Sequence, residues 1–170
     1  GLNAVIGVLL ALQERQRSGQ GQFVEAALFD CGLSLLHPHA ANWFGDGRMP
    51  GRTGNAHPNL APYAVFDCAD GWIILATGND AQYRRLCAIL GLHDMAEAAD
   101  YLTNADRVKN RAAMTARITE ATLRWKMADL LAACEAQGVP AGPINDMAGV
   151  FADPQVVARG MQIAPGGIPG

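Results

Sequence analysis

The residues best suited to chemistry lie in one loop. Between Gly45 and Pro62 the sequence GDGRMPGRTGNAHPNLAP is rich in glycine, proline and asparagine, and a loop this long in a compact protein is usually functional or connects domains. Its Arg48 and Arg52 offer paired guanidinium donors that suit a phosphate or a carboxylate, although solvated loop arginines are equally common. Two interpretations stay open: a functional loop, or a connector shaped by its turn residues.

Other chemically capable side chains favour structural roles. Asp30 precedes a helical pattern, so we expect it to cap a helix that begins at Cys31 rather than act as a nucleophile. His37 and His39 flank Pro38, which favours a turn, and their spacing fits neither one helix face nor a metal motif. The sequence therefore predicts no metal site.

The four cysteines, Cys31, Cys68, Cys87 and Cys134, stand far apart without a CxxC pair. This spacing argues against a metal cage and against a disulfide framework, and it favours reduced, buried thiols. Because cytosolic proteins keep their thiols reduced, we expect a cytoplasmic location.

Composition narrows the class of protein. The 170 residues are 50% hydrophobic and 17% charged, enough for the core of one ordinary domain or of two smaller ones. A net charge of -3 without a basic run argues against nucleic acid or anionic lipid as the main partner. The longest apolar stretch, around Val5 to Leu12, is too short to cross a bilayer, so we expect no membrane partner.

The elements before the loop suggest a layered α/β fold. In LNAVIGVLLALQERQRSG apolar residues recur at three- and four-residue steps, which predicts a helix. The turn SGQGQ then leads to FVEAALFD, which we expect to be a strand buried on both faces, with Leu28 in its core. Helix, turn and buried strand are typical of a doubly wound layer. The helical pattern CGLSLLHPHAANWF follows and is interrupted by Pro38.

The segments after the loop differ in character. PYAVFDC, ADG and WIILATG predict a β-hairpin that turns at Asp70 and Gly71. AQYRRLCAIL predicts a helix closed by Gly91, and the stretch from Thr103 to Trp125 predicts one long surface helix with Thr103 or Asn104 as its cap. MADLLAACEAQ predicts a further helix with Gly138 at its C-cap, VPAGPIND an extended piece and MAGVFADPQVVARGM a short helical hook.

The two ends indicate an excerpt of a longer protein. The first helical pattern starts at once after Gly1, with no capping residue before it, and MQIAPGGIPG turns from an incipient strand into glycine and proline loop. We therefore expect some of the parent's chemistry to lie outside these residues.

Four segments in order resemble the family III CoA-transferases of the CaiB/BaiF type, whose relatives include α-methylacyl-CoA racemase. They are GVLLALQERQRSGQGQFVEAALFD, RTGNAHPNLAPYAVFDCADGWIILATGND, QYRRLCAILG and GVPAGPINDMAGVFADPQVVARGM. Together they run through nearly all of the chain, and the strings GNAHP, ADGW and GVPAGP are individually unusual.

The resemblance implies an α/β fold in which part of a Rossmann-like large domain joins a smaller α+β domain. Residues 1–45 then belong to the large domain, 46–61 form a linker or active-site loop, 62–145 form the small domain, and 146–170 return toward the large domain. Two complete subunits are expected to interlock like linked rings as a homodimer. The implied activity is transfer of coenzyme A from an acyl-CoA to a free carboxylic acid through an aspartyl intermediate, without a metal.

The family pattern also implies site residues. The nucleophilic aspartate is expected just upstream of Gly1, so no catalytic residue is predicted within the chain, which alone should be inactive. The expected active-site loop is Gly54, Asn55, Ala56, His57, Pro58 and Asn59, where a glycine run of the family is replaced in part by His57 and Pro58. His57 suits contact with a carboxylate substrate, although a lone loop histidine is more often a surface hydrogen-bonding group. Leu28 matches a position that lines the CoA site, and Arg52 is a second candidate for CoA binding.

Two alternatives to a transferase remain. A racemase would use acid and base groups that include a Glu after the second hairpin strand, where this sequence has Asn79 and Asp80. The other alternative is a non-catalytic remnant that pairs with a further copy through exposed apolar surfaces.

Overall fold

A computed structural model describes residues 1–164. The chain divides into two compact units, the first Gly1–Arg52 and the second beginning at Thr53. The division falls inside the stretch 46–61. We describe each unit by itself.

The first unit is helical. It holds α1 (Leu2–Ser18), α2 (Leu28–Ser34) and α3 (His39–Asp46). Gly19 ends α1 with φ 73°, a left-handed conformation that glycine adopts without strain, and its N–H donates to the Arg15 carbonyl. A Cβ on Gly7 would lie 2.9 Å from Val24 Cγ1, so this glycine lets the following segment approach α1.

The predicted strand FVEAALFD is wrong. Residues 20–27 have no regular structure and α2 begins at Leu28. A strand is stable only when a neighbour takes its backbone hydrogen bonds, and residues 1–52 contain no second strand to do so. The predicted cap is also wrong: Ala27 is the N-cap of α2, and Asp30 lies in its first turn without a capping hydrogen bond. The interruption at Pro38 is confirmed, since Pro38 precedes α3 as its N-cap.

The second unit is built on a three-stranded antiparallel sheet with the order β1-β2-β3. Its strands are β1 (Tyr63–Asp67), β2 (Trp72–Ala76) and β3 (Ala141–Pro143). The predicted hairpin is confirmed, with Tyr63 opposite Ala76 and Asp67 opposite Trp72. Asp70 in its turn accepts a 2.7 Å hydrogen bond from the Met127 N–H and so ties the hairpin to a later helix.

Helices cover the sheet and close its core. They are α4 (Asp80–Leu90), α5 (His93–Glu97), α6 (Asn104–Lys109), α7 (Arg111–Thr122) and α8 (Met127–Ala136), with a 3-10 turn at Ala99–Tyr101. Alternate residues of the hairpin point inward, which buries Phe66, Ile73 and Leu75 against helix residues such as Leu86 and Ile118. Every residue of the buried hydrophobic cluster that the structure describes lies in this unit.

Local signals set the helix ends. Gly91 closes α4 with φ 71°, as predicted. Thr103 is confirmed as a cap: its hydroxyl accepts from the Asp106 N–H, and the Asp106 carboxylate accepts from the Thr103 N–H. The prediction of a single long surface helix is wrong. The stretch divides into α6 and α7 at Asn110, and the side chain of Asn110 donates to the Asp100 carbonyl.

The last described segments follow the predicted pattern in part. The predicted C-cap at Gly138 is one residue too late: Gln137 is the C-cap of α8, and Gly138, one residue beyond it, has φ 62°. The predicted hook is confirmed as two short helices, α9 (Met147–Ala152) and α10 (Pro154–Ala158). The incipient strand is not formed at residues 161–164, and the rest of that segment lies outside the described residues. Among the helices of residues 1–164, none combines the length and the apolar character that crossing a membrane requires.

The thiols are free. Cys68, Cys87 and Cys134 are buried as predicted, whereas Cys31 is only half-buried. Burial raises the pKa of the Cys134 thiol to about 11, so this group is a protonated core side chain at neutral pH.

Candidate active-site loop

The predicted loop begins with a tight turn. Gly54 has φ 62°, a left-handed conformation that side chains other than glycine adopt with strain. The Ala56 N–H donates to the Thr53 carbonyl at 3.2 Å and closes this turn. The glycine therefore allows the chain to turn between Thr53 and Ala56.

After the turn the loop covers the free edge of β1. The His57 N–H donates to the Tyr63 carbonyl at 2.9 Å, and the Val65 N–H donates to Asn55 Oδ1 at 3.4 Å. A third group on that edge, the Asp67 carbonyl, accepts from the Thr122 hydroxyl at 2.7 Å. These contacts satisfy backbone groups that would otherwise face solvent or another strand.

The His57 ring is held in one orientation. It stacks on the Tyr63 ring, with centroids 5.1 Å apart and planes at 21°. Its Nδ1 accepts from the Asn59 N–H at 3.1 Å. While Nδ1 accepts this bond it carries no proton, so the proton of the neutral ring lies on Nε2, which is the nitrogen that can donate to a ligand.

Helices α6 and α7 fix the second half of the loop. Asn104 donates from Nδ2 to the Asn59 carbonyl at 2.8 Å and accepts from the Ala61 N–H at 3.1 Å. Arg107 Nε donates to the Ala61 carbonyl at 2.7 Å. Arg111 Nη2 donates to the Pro58 carbonyl at 3.0 Å.

Arg107 is the central anchor of this network. Its side chain is 1% exposed, and its Nη2 pairs with Asp80 at 2.7 Å. Nη1 donates to the Tyr101 carbonyl, and the guanidinium carbon lies 4.4 Å from the centroid of the Tyr83 ring. Since every part of the guanidinium has a partner, the buried charge is compensated and the loop backbone is held rigidly.

Sequence reasoning missed these three anchoring residues. Asn104, Arg107 and Arg111 are spaced by three and four residues, so they share one face of a helical pattern. Polar residues on the inward face of a helix are the signal that could have found them, because such groups need buried partners.

The positions compared with a racemase have structural partners. Asn79 caps α4 by accepting from the Gln82 N–H at 2.9 Å, and Asp80 pairs with Arg107. Asn79 therefore has a capping role, and Asp80 supports the loop through Arg107.

The remaining predicted site residues belong to the first unit. Leu28 is 89% exposed at the start of α2, so its assignment to a buried strand is wrong. Arg52 is exposed, and Arg48 Nε lies 3.8 Å from Asp46 Oδ2. In residues 1–164 no group of three or more His, Cys, Asp or Glu side chains is placed to hold a metal ion.

The loop can bind and orient but has no carboxylate of its own. Residues 53–62 contain amide, hydroxyl and imidazole groups and no Asp or Glu. Such groups donate hydrogen bonds to a carbonyl or an oxyanion. A carboxylate nucleophile would have to come from another segment.

Comparison with known proteins gives a consistent result. The chain is 47% identical over 163 residues to the succinate--glutarate CoA-transferase of Agrobacterium fabrum, covering 96% of this chain and 41% of the relative. It is 34% identical over 162 residues to the acetyl-CoA:oxalate CoA-transferase of Acetobacter aceti, covering 95% of this chain and 42% of the relative. The chain thus spans about two fifths of the length of these relatives.

A solved structure shares the fold. The crystal structure of a CAIB/BAIF family protein from Brucella suis matches with a TM-score of 0.81 and 50% identity, over 100% of this chain and 45% of that one. The model of CoA-transferase family III matches residues 1–164. The chain therefore belongs to CoA-transferase family III.

Proposed function

We propose that the protein containing this chain transfers coenzyme A between an acyl-CoA and a free carboxylic acid, and that its acids are short dicarboxylic acids. The observation that carries this proposal is the 47% identity to a succinate--glutarate CoA-transferase across 163 residues. Oxalate, in the name of a second relative, is also a dicarboxylic acid.

The proposed reaction uses an aspartate just upstream of Gly1. Its carboxylate attacks the thioester carbonyl of the donor, which releases CoA thiolate and forms a mixed anhydride. The thiolate then attacks the aspartyl carbonyl, which releases the donor acid and leaves CoA on the aspartate as a thioester. The acceptor carboxylate attacks that thioester, which frees CoA thiolate and forms a second mixed anhydride. The thiolate then attacks the acyl carbonyl of the acceptor, which forms the product acyl-CoA and releases the aspartate carboxylate.

The loop Gly54–Asn59 has a defined part in this proposal. An anhydride and a thioester are both lost if water reaches them, so the site needs a covering segment and fixed hydrogen-bond donors. The proposed donors are the His57 Nε2 and the Asn55 amide, and α6 and α7 hold the backbone carbonyls of Pro58, Asn59 and Ala61 beside them. This support favours a positioning and shielding role over that of a simple linker. Leu28 and Arg52 are proposed to contact CoA.

The proposed architecture is that of the whole family member. Residues 1–45 and 146–170 contribute to a Rossmann-like large domain, 62–145 form the small domain, and 46–61 connect them. The apolar residues exposed on α1, which include Leu2, Leu9 and Leu10, support burial against further parts of the protein or a second copy. We propose an interlocked homodimer located in the cytoplasm and acting without a metal.

The test is an assay of the full-length protein encoded by the reading frame that contains this chain. Incubation with succinyl-CoA and glutarate should yield glutaryl-CoA, detected by mass spectrometry, and acetate should be a much poorer acceptor. Transfer to acetate at the same rate would contradict the dicarboxylic preference.

A second measurement separates the alternatives. The same protein is given a chiral 2-methylacyl-CoA in heavy water, and deuterium at the α carbon is measured. Deuterium exchange without CoA transfer would replace the transferase by the racemase. Absence of both activities in the folded full-length protein would favour the non-catalytic remnant.

A further inference from the structure

A cavity of about 530 Å³ lies beside the loop, within the second unit. Strand β1 and the first turns of α7 form its floor and one wall, and Asn55 and Ala56 of the loop form another part of its lining. It therefore shares residues with the candidate active-site loop but extends away from it along α7.

The cavity is lined by positive charge. Lys109 and Arg111 both line it, and its described lining contains no Asp or Glu. Lys109 is exposed and lies near Asp106. Hydrogen bonds from Thr103 lower the pKa of the Asp106 carboxyl, and the charge of Lys109 lowers it further. Arg111 is the less exposed of the two, so it is the principal charged group facing the cavity.

Two other arginines of this unit have a carboxylate partner, whereas Arg111 has none among the described residues. Arg107 pairs with Asp80 and Arg117 pairs with Asp94. Arg111 makes no ion pair within residues 1–164, and its guanidinium donates a hydrogen bond to the Pro58 carbonyl. Desolvation lowers its pKa without a compensating carboxylate. A partly buried cation of this kind is stabilised when an anion binds to it.

Neutral groups complete the lining. Thr115 follows Arg111 by four residues, so both lie on the same face of α7. Asn55 uses its amide oxygen for the Val65 N–H, which leaves its NH2 group as the one it can offer a ligand. A guanidinium with a hydroxyl and an amide NH2 is suited to the planar or tetrahedral oxygens of a carboxylate or a phosphate.

We propose that this cavity binds an oxyanion, with Arg111 as its charged contact and Lys109, Asn55 and Thr115 around it. Resting on the proposed function, the oxyanion belongs to one of the two substrates: a carboxylate of the dicarboxylic acid or a phosphate of CoA. Because Arg111 also holds the Pro58 carbonyl, the anion and the loop share one side chain.

The test uses the 170-residue chain labelled with 15N and two probes. Glutarate presents the carboxylate, and adenosine 3′,5′-bisphosphate presents the phosphates of the nucleotide part of CoA. Each is titrated while the amide resonances of Asn55, Ala56 and Thr115 are followed at constant ionic strength. Saturable shifts with glutarate only assign the site to the acid, shifts with the bisphosphate only assign it to CoA, and shifts with both indicate an oxyanion site of broad selectivity.

Variants connect binding to the named residues. Arg111→Gln should weaken binding by about 10- to 100-fold, because a charge-assisted contact is lost, and Arg111→Lys should restore part of it. Thr115→Val, which changes the lining without touching the loop, should weaken binding by a smaller factor. Arg124→Gln is the matched control, since Arg124 is an exposed arginine of the same unit outside the lining, and it should bind as the parent does.

The outcomes separate this inference from the proposed function. Absence of saturable shifts with either probe, or equal binding by the parent, Arg111→Gln and Thr115→Val, would overturn the site even if the full-length protein transfers CoA. Arg111-dependent binding together with absence of CoA transfer would refute the proposed function and leave the site.

Discussion

The two units use hydrophobic residues in opposite ways. In α1, α2 and α3 no residue is fully buried, and Leu9 of α1 is 60% exposed. In the second unit Ile73, Leu75 and Leu86 are completely buried in a common core. The difference teaches that a helix can follow from local preference in either unit, whereas only the second unit has the packing that gives a small domain most of its stability.

Hydrogen exchange should show the largest difference between the two units. In the 170-residue chain, amides of α1 should exchange on the order of 1000-fold faster than those of β2, because strand amides in a packed core open only with global unfolding. The measurement is exchange followed by mass spectrometry of peptides from each element. Equal protection of α1 and β2 would break the comparison and show that the first unit is covered in solution.

Core truncation should have the next largest effect. Leu75→Ala should lower the free energy of unfolding by about 2–5 kcal/mol, because a buried leucine leaves a cavity. Leu9→Ala should change it by less than about 0.5 kcal/mol, because that side chain is mostly exposed. Urea unfolding is followed by fluorescence in a Trp43→Phe background, where the signal comes from Trp72 and Trp125 of the second unit. A comparable loss in Leu9→Ala would indicate hidden packing of α1.

Removal of the buried arginine of the second unit should have the third largest effect. Arg107→Met should cost about 3 kcal/mol, because it leaves the Ala61 carbonyl without its donor and Asp80 without its ion pair. The matched control is Arg17→Met in α1, whose side chain is 80% exposed and pairs with Glu14. That exposed pair should contribute about 0.5 kcal/mol or less. Urea midpoints check both variants, and faster exchange at residues 57–62 in Arg107→Met alone would sharpen the assignment of Arg107 as the loop anchor.

The smallest expected effect is a pH dependence at the surface. Hydrogen bonding from Arg117 lowers the pKa of the Asp94 carboxyl below its ordinary value of 3.8. The folded state is therefore stabilised above that ordinary value, and this contribution is lost as the pH falls through the lowered pKa. Asp94→Asn and Arg117→Gln should each remove this part of the acid dependence. The measurement is the urea unfolding midpoint at a series of pH values from neutral to strongly acidic. The same pH dependence in both variants as in the parent would contradict the prediction.

The sequence predicted what depends on near neighbours. The hairpin at Asp70 and Gly71, the end of α4 at Gly91 and the cap at Thr103 each depend on residues within a few positions, and all three are confirmed. The strand FVEAALFD was wrong because a strand needs a partner that composition does not supply. The division at Asn110 was missed because it involves a hydrogen bond to Asp100.

In the candidate site, too, the local features were predicted and the long-range contacts were not. The turn residues around Gly54 marked the loop, since a left-handed conformation favours glycine. Its anchors Asn104, Arg107 and Arg111 lie some fifty positions along the chain, and the hydrogen bonds they make join segments 43 to 53 residues apart. A single sequence contains no direct record of such long-range pairings, so these anchors were missed, and the shared helical face of three polar residues was the signal that could have indicated them.

The cover that Asn55, His57 and Thr122 place over the outer side of β1 has a consequence for how this protein can evolve. An uncovered strand margin recruits strands from other molecules and promotes aggregation. Substitutions in the loop that uncover this strand therefore also act on colloidal behaviour. Variants that alter Asn55, which contacts β1 through its side chain, should precipitate more often than variants that alter Pro58.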